Sequence, residues 1–387
     1  MRRGITGRFE TTSHGGERVR AFVPDPLPPR PAIVLEGELQ MRLEAAGLAV
    51  GRLDGVSALL PDKALLIYSY VRKEAVLSSL IEGTQSSLSD LLLFEIEEAP
   101  GAPLDDVVEV SSYARALDHG LMRLRGGFPL SNRLVREIHG VLLSSGRGSG
   151  KEPGKFRRSQ NWIGGSRPGN AVFVPPPPAE IRECLAALER FLHAHDDGMP
   201  VLVRAALAHV QFETIHPFLD GNGRVGRLLV TLLLCDRGLL GEPLLYLSLY
   251  FKQHRAAYYD LLSRVRSEGD WEAWLSFFLD GVKATADAAV EGAQRIAGLF
   301  RSDRALLEAE GRRVGSVLRI HDALKARPIC TAKSICAATS LAYPTVYAAM
   351  EILTGLGVAR EITGKRRGRL FVYERYLSVL SEGTEPL

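Results

Sequence analysis

Thr214-Ile215-His216-Pro217-Phe218-Leu219-Asp220-Gly221-Asn222-Gly223-Arg224-Val225-Gly226-Arg227 is the stretch from which the rest of the chain can be read. A helix ends near Thr214, because Pro217 cannot continue it. A strongly apolar helix opens at Arg224. Gly221 and Gly223 allow backbone turns closed to other residues and let N–H groups converge on one concavity. That concavity lies at a helix N-terminus, where the helix dipole and free N–H groups favour anions. Arg224 and Arg227, three residues apart, can reach one polyphosphate. Asp220 is a hard oxygen ligand of the kind Mg²⁺ takes when it also holds substrate phosphates. His216 carries a side chain suited to accept a proton near neutral pH. Anion nest, metal carboxylate, two arginines and one base together describe nucleotidyl or phosphoryl transfer.

Outward from this loop the pattern is mainly helical. Helical spacing marks 35–79, with a break between Gly51 and Gly55, and again 111–121 and 131–143, the last capped by Ser131. Between 144 and 178 the chain is rich in glycine, proline and arginine. There, 160–163 and 171–174 read as strands around a 164–170 turn, a hairpin ended by four prolines. Gly146-Arg147-Gly148-Ser149-Gly150-Lys151 lacks the spacing of a phosphate loop and reads as a flexible lead into that hairpin. Residues 1–31 read as a polar extended arm without a core. After Gly311 three short helical patterns precede a glycine-centred basic ribbon, 359–373, with Lys365, Arg366, Arg367 and Arg369. This order resembles a winged helix-turn-helix, with possible DNA binding. A docking or dimerisation module has the same sequence signature.

Composition fits this reading. The chain has 387 residues, 46% hydrophobic and 24% charged, with a formal net charge of +3. That suits two or three folded domains and is too weak to demand a nucleic-acid partner for the chain as a whole. Four cysteines without CxxC spacing argue for reduced thiols rather than disulfides or zinc. The N-terminus has no secretory pattern and no apolar run reaches a membrane span, so a cytoplasmic location without membrane contact is expected.

His216 to Arg227 resembles the motif HPFxDGNGRxxR of the Fic family, and the likeness extends over about residues 20–285. Phe22-Val23-Pro24-Asp25-Pro26-Leu27-Pro28-Pro29 is similar to the opening of the family's bacterial N-terminal domain. Gly154-Lys155-Phe156-Arg157 and Gln160-Asn161-Trp162-Ile163-Gly164 are similar to the entry of its target-docking flap. The resemblance implies a mainly α fold: an N-terminal helical domain (1–110), a Fic catalytic core with a β-hairpin flap (111–290), and a linker helix with a winged helix (291–387). It implies protein AMPylation from ATP. His216 takes the proton of a Ser, Thr or Tyr hydroxyl on a target protein, or on the chain itself, and the hydroxyl attacks the α-phosphate. Mg²⁺, or Mn²⁺, sits on Asp220. Gly221, Asn222, Gly223, Arg224, Gly226 and Arg227 hold the phosphates, and Phe218 anchors the loop in the core. Trp162, Ile163, Gly164, Val172 and Phe173 form the flap, which binds the target as an added strand. His254 and Tyr258, four apart on one helix face, are expected to line the adenine pocket.

Ser78-Ser79-Leu80-Ile81-Glu82-Gly83 closes an earlier helix, with Gly83 at its C′ position. A carboxylate at Glu82 opposes the helix dipole, so a nearby arginine is its natural partner. Ser78, Glu82 and Gly83 resemble the inhibitory motif [S/T]xxxE[G/N] of one Fic class. That implies that Glu82 pairs with Arg227 where the ATP γ-phosphate must sit. Three further readings stay open at this point: transfer of another phosphate-containing group, Glu82-assisted de-AMPylation, and a nucleotide-sensing DNA-binding regulator. A homodimer is compatible with all of them.

Overall fold

A computed structural model of the chain describes residues 2–59, 63–96, 104–195, 197–311, 314–365 and 368–385. Two strands, β1 (Gly7–His14) and β2 (Glu17–Pro24), lead into helices α1 (Gly37–Leu59), α2 (Lys63–Ile81), α3 (Leu88–Phe94), α4 (Leu104–Arg125) and α5 (Asn132–Leu142). After an irregular segment come α6 (Ile181–His193), α7 (Val201–Ile215), α8 (Asn222–Asp236), α9 (Ser248–Gln253), α10 (Arg255–Glu268) and the 38-residue α11 (Trp271–Glu308). The C-terminal part runs α12 (Val314–Ala326), β3 (Ile329–Thr331), α13 (Ala332–Thr339), α14 (Tyr343–Gly355), β4 (Arg360–Glu361), β5 (Leu370–Val372) and α15 (Glu374–Ser381).

The centre is the α7–α8 pair. From Leu202 to Ile215 every residue of α7 is buried, and α8 is buried from Arg224 to Leu234. Helices apolar on all sides belong in the middle of a helical layer. Around them pack α4, α5, α6 and α11. The indole N–H of fully buried Trp274 donates to the Ala206 carbonyl at 2.9 Å, tying α11 to α7. Ser131 caps α5 as its sequence predicts, accepting from the Leu134 N–H.

Three expectations need correction. The first 31 residues are not a coreless arm. β1 and β2 pair antiparallel from Gly7↔Pro24 to His14↔Glu17, burying Val19, Ala21, Phe22 and Val23. The turn is Gly15-Gly16, both with positive φ, the residues a tight hairpin favours. The break between Gly51 and Gly55 does not occur either: α1 runs through both. Each glycine costs about 1 kcal/mol in a helix, but α1 lies along α11 and buries Ala46, Ala49, Val50 and Leu53. Tertiary packing overrides local propensity. Lastly, the expected divisions at 110/111 and 290/291 fall inside α4 and α11. α2 packs on α4, α8 and α9, so the N-terminal helices interleave with the core.

The C-terminal part has a three-stranded antiparallel sheet in the order β3-β5-β4. It is fastened to the rest by the Tyr373 hydroxyl donating to Asp303 of α11 at 2.5 Å and by the Arg375–Asp303 ion pair at 2.6 Å. The Tyr376 hydroxyl lies 3.0 Å from the Ser69 hydroxyl of α2. Arg366 and Arg367 lie outside the described residues. All four cysteines are free. No helix among the described residues is long and apolar enough to cross a membrane.

Candidate active site

The site is the turn between α7 and α8, and its shape follows from residues that hold the backbone. His216 ends α7 in the left-handed region (φ 49°, ψ 59°), its N–H donating to Phe212 at 2.9 Å. That conformation is uncommon for a residue with a Cβ and must be held from outside. Arg157, 3% exposed, holds it: Nε donates to the His216 carbonyl at 2.9 Å and Nη2 to the Pro176 carbonyl at 2.6 Å. Phe218, fully buried, stacks on His139 with ring centroids 3.7 Å apart. The Gly154 N–H donates to Nδ1 of His139 at 2.8 Å, which places the ring proton on Nε2, 3.1 Å from the Asp220 carbonyl. Burial pushes His139 down to about 4, so it stays neutral in this role.

The Asn222 amide is anchored on Phe218. Its Oδ1 accepts from the Phe218 N–H at 2.8 Å and its Nδ2 donates to the Phe218 carbonyl at 2.9 Å. Each end of the amide makes one hydrogen bond that closes the loop, and the second N–H of Nδ2 is left over. Gly221 takes a positive φ of 76° at the N-cap of α8, as the sequence predicts. Its N–H donates to Oδ1 of Asp220 at 2.6 Å. Arg224, 3% exposed, lies 2.6 Å from Glu109 and 3.4 Å from Asp220. Asp220 keeps 38% of its side-chain surface. With Oδ1 engaged, Oδ2 lies beside Gly148, where an added Cβ would come within 2.7 Å. The 146–151 loop, expected only to lead into the hairpin, therefore borders the site.

Arg227 and Glu82 meet. Nη2 of Arg227 donates to Oε1 of Glu82 at 2.7 Å and to the Ser78 carbonyl at 2.9 Å, and Nε donates to the Ser78 hydroxyl at 2.7 Å. Gly83 follows with φ 93°. A Cβ built on Gly223 would sit 2.3 Å from Glu82 Oε1. The carboxylate thus lies on the first turn of α8, at the anion-favouring end of the helix. Burial works to raise the Glu82 carboxyl, but Arg227, with Arg224 behind it, outweighs that and holds the group below the usual carboxylate range.

His216 is half-buried. Burial first, then the nearby Arg157, push its imidazole down to about 4. The ring is neutral at physiological pH, the form that accepts a proton. Gly226 lies further into α8: its carbonyl is 3.1 Å from His209 Nδ1, and a Cβ there would meet Glu213 at 2.3 Å. It makes room for a side chain rather than opening onto the nest.

The adenine expectation divides. Tyr258 is 1% exposed, its hydroxyl 2.8 Å from His209 Nε2, and its ring stacks on Phe251. It is a core residue. His254 is exposed and lies against Tyr250, centroids 4.3 Å apart. The flap is shorter than a ladder: Ile163 and Phe173 form one antiparallel bridge, with the Ile163 N–H donating to Phe173 at 2.8 Å. Gly164 turns at φ 68° and Val172 is 82% exposed. Trp162 packs with Val19, Ala21 and Val174, so the N-terminal hairpin props the flap from behind.

Glu213, Glu109 and Glu74 surround the two arginines of α8, Glu109 at 2.6 Å from Arg224 and the other two acting electrostatically on Arg227, and sequence reading missed all three. Burial pushes Glu213 and Glu74 up to about 7, and Glu74 accepts from Ser248 and Tyr113. Glu213, three residues before His216, was the most accessible to sequence reading: it is the one acidic residue of the mainly apolar α7.

The family model described as Fic/DOC family N-terminal matches residues 40–122, and that described as Fic/DOC family matches 129–234. Among curated proteins, protein adenylyltransferase Fic of Drosophila ananassae is 30% identical over 67% of this chain and 49% of its own length. Its namesake in Culex quinquefasciatus is 38% identical over 39% of this chain and 27% of its own. The chain spans about half the length, or less, of these curated relatives. Among solved structures, a Fic family protein from Desulfovibrio desulfuricans has a TM-score of 0.58 at 19% identity, over 89% of this chain and 98% of that one. A Fic domain containing signaling protein from Bacteroides thetaiotaomicron has a TM-score of 0.53 at 19% identity, over 65% and 97%. At these identities the structures speak for the fold.

Proposed function

Since the chain belongs to the Fic/DOC family, we propose that it is a protein adenylyltransferase, moving AMP from ATP to a hydroxyl side chain of a target protein and held in check by Glu82. The observation that carries this reading is the Glu82 carboxylate lying on the first turn of α8, paired with Arg227 beside neutral His216. A carboxylate at an anion site stands where a phosphate belongs. In the transfer, His216 takes the hydroxyl proton, the oxygen forms a bond to the α-phosphorus, and the bond from that phosphorus to the bridging oxygen of pyrophosphate breaks. The amides at the start of α8 and Arg227 would face the phosphates. Anionic phosphates beside His216 raise its pKa from the resting value, strengthening it as a base. Positioning and charge stabilisation do the work, as in other phosphoryl transfers.

Asp220 fits a divalent cation: one carboxylate oxygen is engaged and its side chain is partly open. Among the described residues no group of three or more His, Cys, Asp or Glu could hold a metal, which suits an ion bound mostly by nucleotide phosphates. Asp220 would hold Mg²⁺ or Mn²⁺, which when bound would neutralise phosphate charge.

The C-terminal module, with helices α12 to α14 and the sheet β3-β5-β4, supports a winged-helix reading. α14 contains no lysine or arginine, so DNA contact would rest on the ribbon around Lys365 and Arg369. A gel shift at increasing salt tests this. The transfer reading is tested by labelling a lysate with the Glu82→Gly protein and ATP and sequencing the modified peptides by mass spectrometry. AMP on Ser, Thr or Tyr, absent with His216→Ala, supports it; no adenylylated residue overturns it.

A further inference from the structure

Beside the flap, the N-terminal hairpin and α10 enclose a groove of about 520 Å³. Phe9 forms part of one wall, Phe173 and Val172 of the flap form another, and Arg18, Arg20 and Arg266 reach into it. The construction is firm. The Phe22 N–H donates to the Val174 carbonyl at 2.9 Å, and Arg167 of the flap is ion-paired with Glu17 of β2.

The charge pattern is selective. Neighbouring arginines are neutralised: Arg8 by Glu10 and Glu180, Arg3 by Glu272, Arg264 by Asp270, and Arg2 by Glu268. Among the described residues, the three that line the groove have no ion pair, and the carboxylate beside its rim, Glu17 against Gly169, is taken by Arg167. Instead, two of them lie over aromatic rings, Arg20 at 4.5 Å from the Phe9 centroid and Arg266 at 4.0 Å from that of Phe173. Arg266 is half-buried. Burial pushes its guanidinium down to about 10, and the acidic side chain that offsets this is Glu213, itself pushed up to about 7 by burial and so only partly charged. Stacking holds these cations extended and leaves their N–H donors free for a carboxylate. The groove is continuous with the flap through Val172 and Phe173, and its Arg266 acts electrostatically on His216.

We propose that this groove is the docking site for an acidic stretch of the target polypeptide next to the modified hydroxyl, with Arg18, Arg20 and Arg266 as specificity-determining residues. The inference rests on the transfer reading above and adds a side-chain preference to main-chain docking on the flap. Binding is read without transfer, by fluorescence anisotropy of a fluorescein-labelled Glu/Gly peptide that carries no hydroxyl residue. A Lys/Gly peptide and a single-stranded oligonucleotide serve as comparisons. The full-length Glu82→Gly protein should bind the Glu/Gly peptide in preference to both, more weakly as salt rises. Arg18→Glu/Arg20→Glu and Arg18→Ser/Arg20→Ser should each weaken it about tenfold or more. Arg18→Lys/Arg20→Lys should largely keep it, and Lys365→Glu/Arg369→Glu in the distant ribbon should leave it unchanged. Equal binding of the acidic and basic peptides, tighter binding of the oligonucleotide, or indifference to the Arg18/Arg20 changes would overturn the proposal. Self-labelling with ATP, measured in parallel, separates the two claims: peptide binding without label leaves the groove and removes the transfer reading, and the reverse result does the opposite.

Discussion

Replacing Glu82 by glycine perturbs one contact and leaves its surroundings in place. Arg227 loses the 2.7 Å bond to Glu82 but keeps both bonds to Ser78, so the guanidinium stays aimed at the nest. A charge-assisted hydrogen bond is worth about 1.5–3 kcal/mol when buried. Glu82 keeps 34% of its side-chain surface, so solvent screening brings the figure down. About 1–2 kcal/mol remains, which corresponds to a factor of roughly 5–30 in the population of the open nest. The Glu82→Gly protein should therefore transfer AMP about 5–30 times faster than wild type in self-labelling with ATP labelled at the α-phosphate. Glu82→Gln, which keeps a hydrogen-bond acceptor but no charge, should fall between them. Arg227 also loses its counter-charge, so the Glu82→Gly protein should melt lower without nucleotide and gain more from ATP than wild type does. Equal rates for the three proteins, with equal ATP-induced shifts in Tm, would refute the reasoning.

In the Glu82→Gly background, His216→Ala should lower transfer by about 10²–10⁴-fold while ATP binding, read by calorimetry, persists; retained transfer would remove His216 as the base. Glu109→Ala should destabilise the fold by about 3–5 kcal/mol, because Arg224, 3% exposed, would lose its 2.6 Å partner; an unchanged urea midpoint would contradict this. Stability should fall on acidification from pH 6.5 to 5.5. His139, His209, His216 and His321 are held near 4 in the fold, and so bind fewer protons there than when unfolded. Glu74 and Glu213, held near 7, act in the opposite sense. Four groups against two leave a net uptake of roughly one to two protons on unfolding in this window. A Tm that is flat or rises as pH drops would contradict it.

The turn chemistry of the site was open to reading because it is local. Pro217 had to stop α7, Gly221 had to take a positive φ, and Gly83 had to close α2, whatever lay around them. The position of Glu82 was legible in the same way, since a carboxylate on a helix C-terminus asks for a cation. What was missed depends on distant partners. β2 looked polar because Arg18 and Arg20 alternate with Val19 and Ala21; the alternation is that of a half-buried strand, and the surface that buries it is the flap. Tyr258 and His254 were placed together by helical spacing, but His209 claims the Tyr258 hydroxyl and the end of α9 turns His254 outward. The anchoring of the Asn222 amide on Phe218 depends on the folded turn and carries no sequence signal. Arg157 lies 59 residues from the His216 carbonyl it grips, a separation that no motif spans.

Transfer chemistry itself is tested most directly by the fate of each phosphate. The Glu82→Gly protein is incubated with ATP labelled at the α- or the γ-phosphate, denatured, and the covalent label counted. Retention of the α-label alone, with His216→Ala unlabelled, is the predicted result. Covalent γ-label, or no label from either position, would contradict it.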